Sequence, residues 1–364
     1  MTAGIVLGGA TRRQRSSEDR RRLGLLAGGA LVFVASFVLA AGYGAVGIAP
    51  AQIAAIVLKP VGIDPGWMFS PVQESVFWAI RLPRACLAVL SGAALAVSGA
   101  ALQGLFRNPL ADPALIGVSN GAALGGVAAI VFGASVTVSW FPPEYRLPIA
   151  AFAGGLAAVW LVNRLATRQG HTDVPTMLLA GVALNAMAGA GIGAFVFVSD
   201  DQQLRELNFW LLGSLGSITW DRLAPVALIA MPGIVCLFAF ARFLDAMLLG
   251  ESETMYLGFE VERTKKLIIV CAAVCTGATV SATGVIGFIG LVVPHVVRMI
   301  AGPGHKMLLP LSVLVGASLM LIADIVARTA VLPAELPIGI VTACVGGPFF
   351  IWLLMRQYGV GRWS

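Results

Sequence analysis

The sequence predicts an all-α, polytopic membrane protein with about ten transmembrane helices, and three observations predict it. The 364-residue chain is 58% hydrophobic and only 12% charged, with a mean hydropathy of +0.90, outside the range of soluble domains. Its apolar residues gather into runs that approach or exceed the roughly 20 residues a helix needs to cross a hydrocarbon core. Its Lys and Arg residues favour alternate connections between those runs, as the orientation rule for membrane helices requires.

Taken in order, the apolar runs bounded by charge, proline or glycine clusters lie at 23–46, 85–106, 114–138, 147–168, 176–198, 222–241, 266–284, 286–300, 307–327 and 337–356. The first follows a basic tail, residues 1–22, carrying Arg12, Arg13, Arg15, Arg20, Arg21 and Arg22. A basic run directly before a span holds that end in the cytoplasm, and the run that follows is too long for the apolar core of an ordinary signal peptide. The separation of the seventh and eighth runs rests only on the stretch Ala282–Gly287, so nine spans are the alternative. A transmembrane domain is expected over 23–358, closed by a short cytoplasmic tail at 359–364.

With the amino end inside, 17 of the 24 Lys and Arg residues fall on the cytoplasmic side and 7 outside, which supports ten spans with both termini cytoplasmic. Trp67, Trp78, Trp140, Trp210 and Trp220 fall near the outer ends of spans, at the level where an amphipathic ring suits the headgroups. The 43 glycines read as helix-packing residues, because small side chains let backbones approach where lipid gives apolar groups little reason to hide. The five cysteines sit inside apolar runs with no CxxC or Cys/His cluster, so reduced structural thiols are expected and no metal site is.

Much chemistry is missing. Ion-coupled transporters keep ionisable groups near mid-membrane, whereas here Asp and Glu collect at span ends, Asp324 being the deepest, and His295 is the one histidine in an intramembrane position. There is no GxxxxGK[ST] loop, so an ATPase would have to be another chain, and no HExxH or GxSxG motif suggests an enzyme. Nucleic-acid binding is a poor account of a basic run that directly precedes a span.

Several long segments carry a specific resemblance: RLPR at 81–84, SGAALAVSGAALQGLFRNPLADPALIGVSNGA at 91–122, LLAGVALN at 178–185, GVIGFIGLVVPH at 284–295, ADIVAR at 323–328 and ELPIGIVTACVGGPFFIWLL at 335–354. In this order, over about three quarters of the chain, they resemble the FecCD family of permeases, which import ferric siderophores, haem or vitamin B12. The resemblance implies a vitamin B12-importer-like (type II ABC importer) permease fold in a bacterial inner membrane. It further implies a second copy of the same chain, two cytoplasmic P-loop ATPase subunits that bind ATP and Mg, and a periplasmic substrate-binding protein. The permease itself is then no enzyme and holds no cofactor. Inverted-topology halves at about 85–198 and 266–356 are implied too; the sequence shows no clear self-similarity between them.

Site residues follow from both sources. The stretch 248–258, with Leu249, Gly250, Glu251, Ser252, Glu253, Thr254, Met255, Leu257 and Gly258, is a segment of about two helical turns between glycines in the longest internal cytoplasmic connection. By its residues it is either an interfacial helix on lipid or a protein-docking helix; the resemblance implies the latter, coupling to the ATPase. Arg81, Arg84 and Arg328 break the positive-inside tendency and either snorkel to lipid phosphate or, as the resemblance implies, meet acidic residues of the binding protein. Gly181, Asn185, Gly189 and Gly193 share one face of the fifth span, where Asn185 is either a pathway-lining amide or interhelical glue. Family members of the B12 branch place small hydroxyl residues at a cytoplasmic gate just before this span; here the stretch is Asp173, Val174 and Pro175, which departs from that pattern while leaving Val174 and Pro175 able to narrow the path.

The chain as a whole resembles the haem-import branch most, so haem is the expected cargo, with a ferric siderophore the runner-up and vitamin B12 third. No axial-ligand pair for haem is visible. A secondary transporter driven by an ion gradient is the alternative from another class.

Overall fold

The computed structural model describes residues 3–44, 46–133, 142–331 and 333–358; the expected tail at 359–364, Trp140 and the outer end of the third expected span, 134–138, lie outside the described residues. A helix occupies each of the ten expected segments: α1 (Ala3–Gly42), α4 (Leu82–Leu105), α5 (Val118–Phe132), α6 (Arg146–Ala166), α7 (Val174–Val198), α9 (Trp220–Ala239), α12 (Val261–Thr283), α13 (Ile289–Ala301), α14 (His305–Thr329) and α15 (Ile338–Tyr358). Seven stretches are long and apolar enough to cross a membrane, and Val118–Phe132, Ile289–Ala301 and Ile338–Leu353 are shorter apolar helices. The basic tail is not a separate element, since α1 runs through it from Ala3.

The break between the seventh and eighth segments is a short non-helical stretch in which Gly284 (φ 72) and Phe288 (φ 70) adopt left-handed backbone. Gly284 suits this, having no side chain to strain. Phe288 then caps α13 as Gly117 (φ 87) caps α5, so both short helices are entered through a left-handed residue.

Five further helices link or flank these spans: α2 (Pro50–Leu58), α3 (Pro71–Val76), α8 (Asp201–Leu211), α10 (Ala241–Met247) and α11 (Glu251–Tyr256). Short sequences form them because their ends are satisfied locally. Asp200 accepts hydrogen bonds from the backbone of Gln202 and Gln203 while the Gln203 side chain answers to the Asp200 backbone, and Ser70 and Gln73 repeat the same reciprocal cap at α3. A π turn, Phe77–Arg81, joins α3 to α4.

α4 is the hub: 21 of its 24 residues are buried. It packs on α14, α13, α12 and α9. The sequence allows this through small residues seven apart on one face. A side chain at Gly92 would strike the Gly316 backbone on α14, one at Gly316 would strike Gly92, and one at Gly99 would strike Gly290 on α13. The stripe Gly121 and Gly125 on α5 meets Ala150 and Gly154 of α6 in the same manner. Lipid offers no hydrophobic reward for helix association, so contact of this closeness is what holds the bundle.

Pairings come in matched sets: between the halves of the bundle, α4 with α14 and α12 with α6, and α4 with α13 and α12 with α5; within each half, α5 with α7 and α13 with α15. α7 is the opposite of α4. Only 11% of its apolar window is buried, and Leu179, Val182, Met187 and Phe197 are all exposed.

If backbone proximity at the hub holds the bundle, Gly99→Val should lower the thermal unfolding midpoint of the detergent-purified protein, by an overpacking term of about 1–3 kcal/mol or more. Gly28→Val, where a Cβ meets nothing within 4 Å, should leave the midpoint unchanged. Equal behaviour of the two variants in a thermal melt would refute this account of the hub.

Candidate functional site

At one end of the bundle, α10 leads through Leu248 and Leu249 into Gly250, whose φ of 133 is open to glycine and turns the chain into α11. Gly258 (φ 87) ends the segment. Between them Thr254 is fully buried and its hydroxyl donates to the Gly250 carbonyl at 2.6 Å, anchoring the inner face of α11. The outer face is left apolar and uncovered: Leu249, Met255, Tyr256 and Leu257 are exposed, Tyr256 at 91%. Ser252 and Glu253 are exposed on the same segment, and Glu251 is half-buried.

Glu251 turns inward to Lys265 near the start of α12, with Oε1 2.7 Å from the ammonium. Lys265 is 2% exposed and also meets Glu262 at 3.2 Å and donates to the Thr172 carbonyl at 3.5 Å. Glu262 in turn accepts the Thr172 backbone N–H at 2.9 Å. Thr172 belongs to a two-stranded hairpin, Thr167–Arg168 paired with His171–Thr172, that leads directly into α7. One ammonium group thus ties the segment at 248–258 to the hairpin in front of α7. A buried cation needs such partners, because an unpaired charge away from water is strongly destabilising.

α7 itself starts on Asp173, whose carboxylate accepts from both the hydroxyl and the backbone N–H of Thr176 at 2.6 and 2.9 Å. The Thr176 hydroxyl, then its N–H, hold the Asp173 carboxyl below the usual carboxylate range. Val174 and Pro175 follow at the first turn and, with Thr172, Glu251 and Glu262, line a cavity of about 570 Å³. Val174 and Pro175 and, from the segment 248–258, Glu251 therefore line one cleft.

Higher on α7, Asn185 donates to the Ala114 carbonyl at 3.0 Å while its oxygen has no partner. Gly181 lies against the Leu115 backbone, whereas Gly189 and Gly193 face open space. The predicted stripe is thus divided, its lower part packed on the turn Pro113–Ile116 and its upper part uncovered. One end of the Asn185 amide thus ties α7 to the turn that precedes α5.

Opposite, at the far end of α4, Arg81, Arg84 and Arg328 are 6%, 6% and 7% exposed. Arg84 donates to Asp324 at 2.9 Å and grips Glu335 with two parallel bonds of 3.0 and 2.9 Å. Arg328 lies 3.1 Å from the other Asp324 oxygen and donates to the Tyr43 and Ala40 carbonyls, two of the acceptors that the end of α1 leaves unsatisfied. Arg81 donates to the Val46 carbonyl at 3.3 Å, and its other terminal nitrogen has no partner. The cluster brings together three cations and two carboxylates, of which Glu335 is half exposed.

Sequence reasoning missed the roles of Lys265, Glu262, Thr172 and Glu335. Lys265 entered it only as an orientation charge; the spacing of Glu262 and Lys265 permits a helical pair, but Thr172 is 93 positions away. Among the described residues no group of three or more His, Cys, Asp and Glu could hold a metal ion. His295 packs edge-on against Phe349, ring centres 6.2 Å apart.

The sequence pattern of the FecCD transport family matches residues 31–356. The hemin transport system permease protein HmuU of Yersinia pestis is 47% identical over 281 residues, 76% of this chain and 82% of that protein. The cobalamin import system permease protein BtuC of Halobacterium salinarum is 45% identical over 77% of this chain and 73% of its own length. Klebsiella pneumoniae contributes a vitamin B12 import system permease protein, BtuC, at 42% identity over 82% of this chain and 88% of that one. A solved structure described as an inward-facing conformation of a metal-chelate type ABC transporter superposes with a TM-score of 0.79 at 32% identity, covering 92% of this chain and 99% of that one. With its all-α bundle and a match across most of its length, this chain belongs to the FecCD transport family as a multi-pass ABC importer permease.

Proposed function

We propose that this permease carries an iron carrier, haem in the first instance, from a periplasmic binding protein to the cytoplasm of a bacterium. It works as a pair of identical chains driven by two separate P-loop ATPases that bind ATP and Mg. The single observation that carries the mechanism is the Lys265 junction, which places the exposed coupling segment and the entrance of α7 on one buried ammonium. Residues 248–258 present the exposed apolar knob of Leu249, Met255 and Leu257, beside Glu253, to the ATPase. A shift of α11 pulls on Glu251, hence on Lys265 and Thr172, and so on Val174 and Pro175 at the cytoplasmic gate. Both termini and this end of the bundle are then cytoplasmic, in the inner membrane, consistent with the distribution of Lys and Arg.

The uncovered face of α7, with Gly189 and Gly193 open, is where the second copy and the central path would lie, Asn185 at its margin. The matched pairings between 85–198 and 266–356 support two inverted-topology halves rocking about α4 and α12. At the outer end the binding protein would dock over Arg81, Arg84 and Arg328, which lie just beneath the surface at 6–7% exposure and are in large part paired with Asp324 and Glu335. Arg81 is the member with donor capacity left over, so charge pairing there would set orientation and encounter rate.

Haem is favoured by the 47% identity to a hemin permease; a ferric siderophore or vitamin B12 is the alternative, the latter supported by relatives at 45% and 42%. Uptake into proteoliposomes holding the cognate ATPase and binding protein, offered hemin, a ferric siderophore and cobalamin in turn, decides among them. Hemin should be taken up and should compete with itself alone. Uptake that needs an ion gradient and no ATPase would overturn the importer reading entirely.

Two substitutions test the parts. Lys265→Met should leave ATP hydrolysis by the assembled complex largely intact while transport falls roughly tenfold, within the usual range of coupling free energies; transport at the parental rate would refute the junction. Arg81→Gln, which keeps a donor for the Val46 carbonyl, should slow binding-protein association and weaken its salt dependence with little shift of the unfolding midpoint. Arg84→Glu, which would set three carboxylates together at a buried site, should lower that midpoint sharply.

A further inference from the structure

Beside the coupling machinery, and separate from it, the last two turns of α6 and the start of α12 enclose a cavity of about 660 Å³ lined by Trp160, Asn163, Arg164, Arg168 and Lys266. Positions 160 and 164 share one side of α6, and Arg168 follows in the first strand of the hairpin. The Arg164 guanidinium lies over the Trp160 ring at 6.0 Å. No carboxylate lines the cavity. Nearby on α12, by contrast, Arg263 pairs with Glu260, and Lys265 with Glu251 and Glu262. Three positive charges converging without a counter-charge are a local excess that attracts an anion.

The wall of α6 that runs on from these cations is apolar and uncovered. Trp160, Leu161 and Leu165 are 64%, 36% and 53% exposed. A free phosphate has no use for such a wall, and an acidic protein surface would have to leave Trp160 bare. A molecule with an anionic head and apolar tails satisfies both halves, and an indole at headgroup depth suits that level of a bilayer.

We propose that this cleft binds an anionic phospholipid of the cytoplasmic leaflet, its phosphodiester held by Arg164, Arg168 and Lys266 and its acyl chains lying along Trp160, Leu161 and Leu165. The assignment of the leaflet rests on the orientation given above; the binding itself does not. The lipid would brace α6 against α12 next to the hairpin that precedes α7.

Native mass spectrometry of the full chain, titrated with phosphatidylglycerol and, separately, phosphatidylcholine, tests the site. Phosphatidylglycerol should be retained preferentially, and the combined Arg164→Gln, Arg168→Gln, Lys266→Gln variant should lower that retention about tenfold or more, each basic group near a membrane surface being worth roughly fivefold. Arg205→Gln with Arg222→Gln, at the other end of the bundle, should leave it unchanged. Because removing cytoplasmic charge can disturb insertion, a second measurement keeps every cation: the Trp160 fluorescence, read as wild type minus Trp160→Phe, should be quenched more by brominated phosphatidylglycerol than by brominated phosphatidylcholine. Equal quenching, equal retention of the two lipids, or displacement by inorganic phosphate at millimolar concentration would overturn the proposal. So would loss of the lipid when the ATPases bind, which would assign this face to protein. None of these readouts depends on uptake, so failure of transport with lipid retained would count against the importer reading alone.

Discussion

The close approach of backbones along α4 is the constraint on which the rest of the structure depends. A Cβ at Gly92, Gly99 or Gly316 would enter a neighbouring main chain, and in a solvent as apolar as the side chains themselves no other force draws helices together so consistently. Because α4 is enclosed on almost every side, its two ends become fixed points. The chain places its buried ionic groups near those ends: Arg84 with Asp324 and Glu335 at one, and the Lys265 junction beyond the other. Charges are tolerable there because these are paired near the rim, while the middle of the bundle is kept to small and aliphatic residues and hydroxyls, some of them bonded to their own helix, as at Thr279 and Thr283.

Against this rigid centre, α7 stands out by what it lacks. It is anchored at its base by Asn185 and Gly181 on the turn Pro113–Ile116 and by Asp173 at its cap, packs on α5 and α6 along one side, and leaves its other face uncovered. A helix with one face uncovered can tilt with less loss of packing than one enclosed on every side, which suits the moving element of the function proposed above. The link between the two is ionic and short. An ion pair transmits direction through its geometry while tolerating small changes of angle better than interlocked methyl groups do, since packed cores resist continuous deformation.

How much of this was legible depends on the range of the signal. The ten helical segments, the break at Ala282–Gly287 and the close-packing role of Gly121 and Gly125 all follow from runs and spacings a few residues long. So does the segment 248–258, bracketed by Gly250 and Gly258. The short helix α8 carried a readable mark too, Asp200 three residues before Gln203, but its low hydrophobicity hid it from a search for spans. The divided character of the glycine stripe on α7 was not legible, because Gly181 and Gly189 are alike in sequence and differ only in whether a turn from another part of the chain lies against them.

By itself, then, the sequence determined that lipid is the solvent, where the helical segments lie and which family of permeases the chain joins, since these depend on composition, periodicity and contiguous motifs. Only the tertiary structure decided that Arg84 is neutralised within the chain by carboxylates 240 and 251 positions away, and that Lys265 meets Thr172, 93 positions away, as well as Glu251 in the segment 248–258. The physical reason is that electrostatic partnership is set by distance through space, and a linear pattern of charges specifies which groups exist without specifying which of them the packing of α4 brings within 3 or 4 Å.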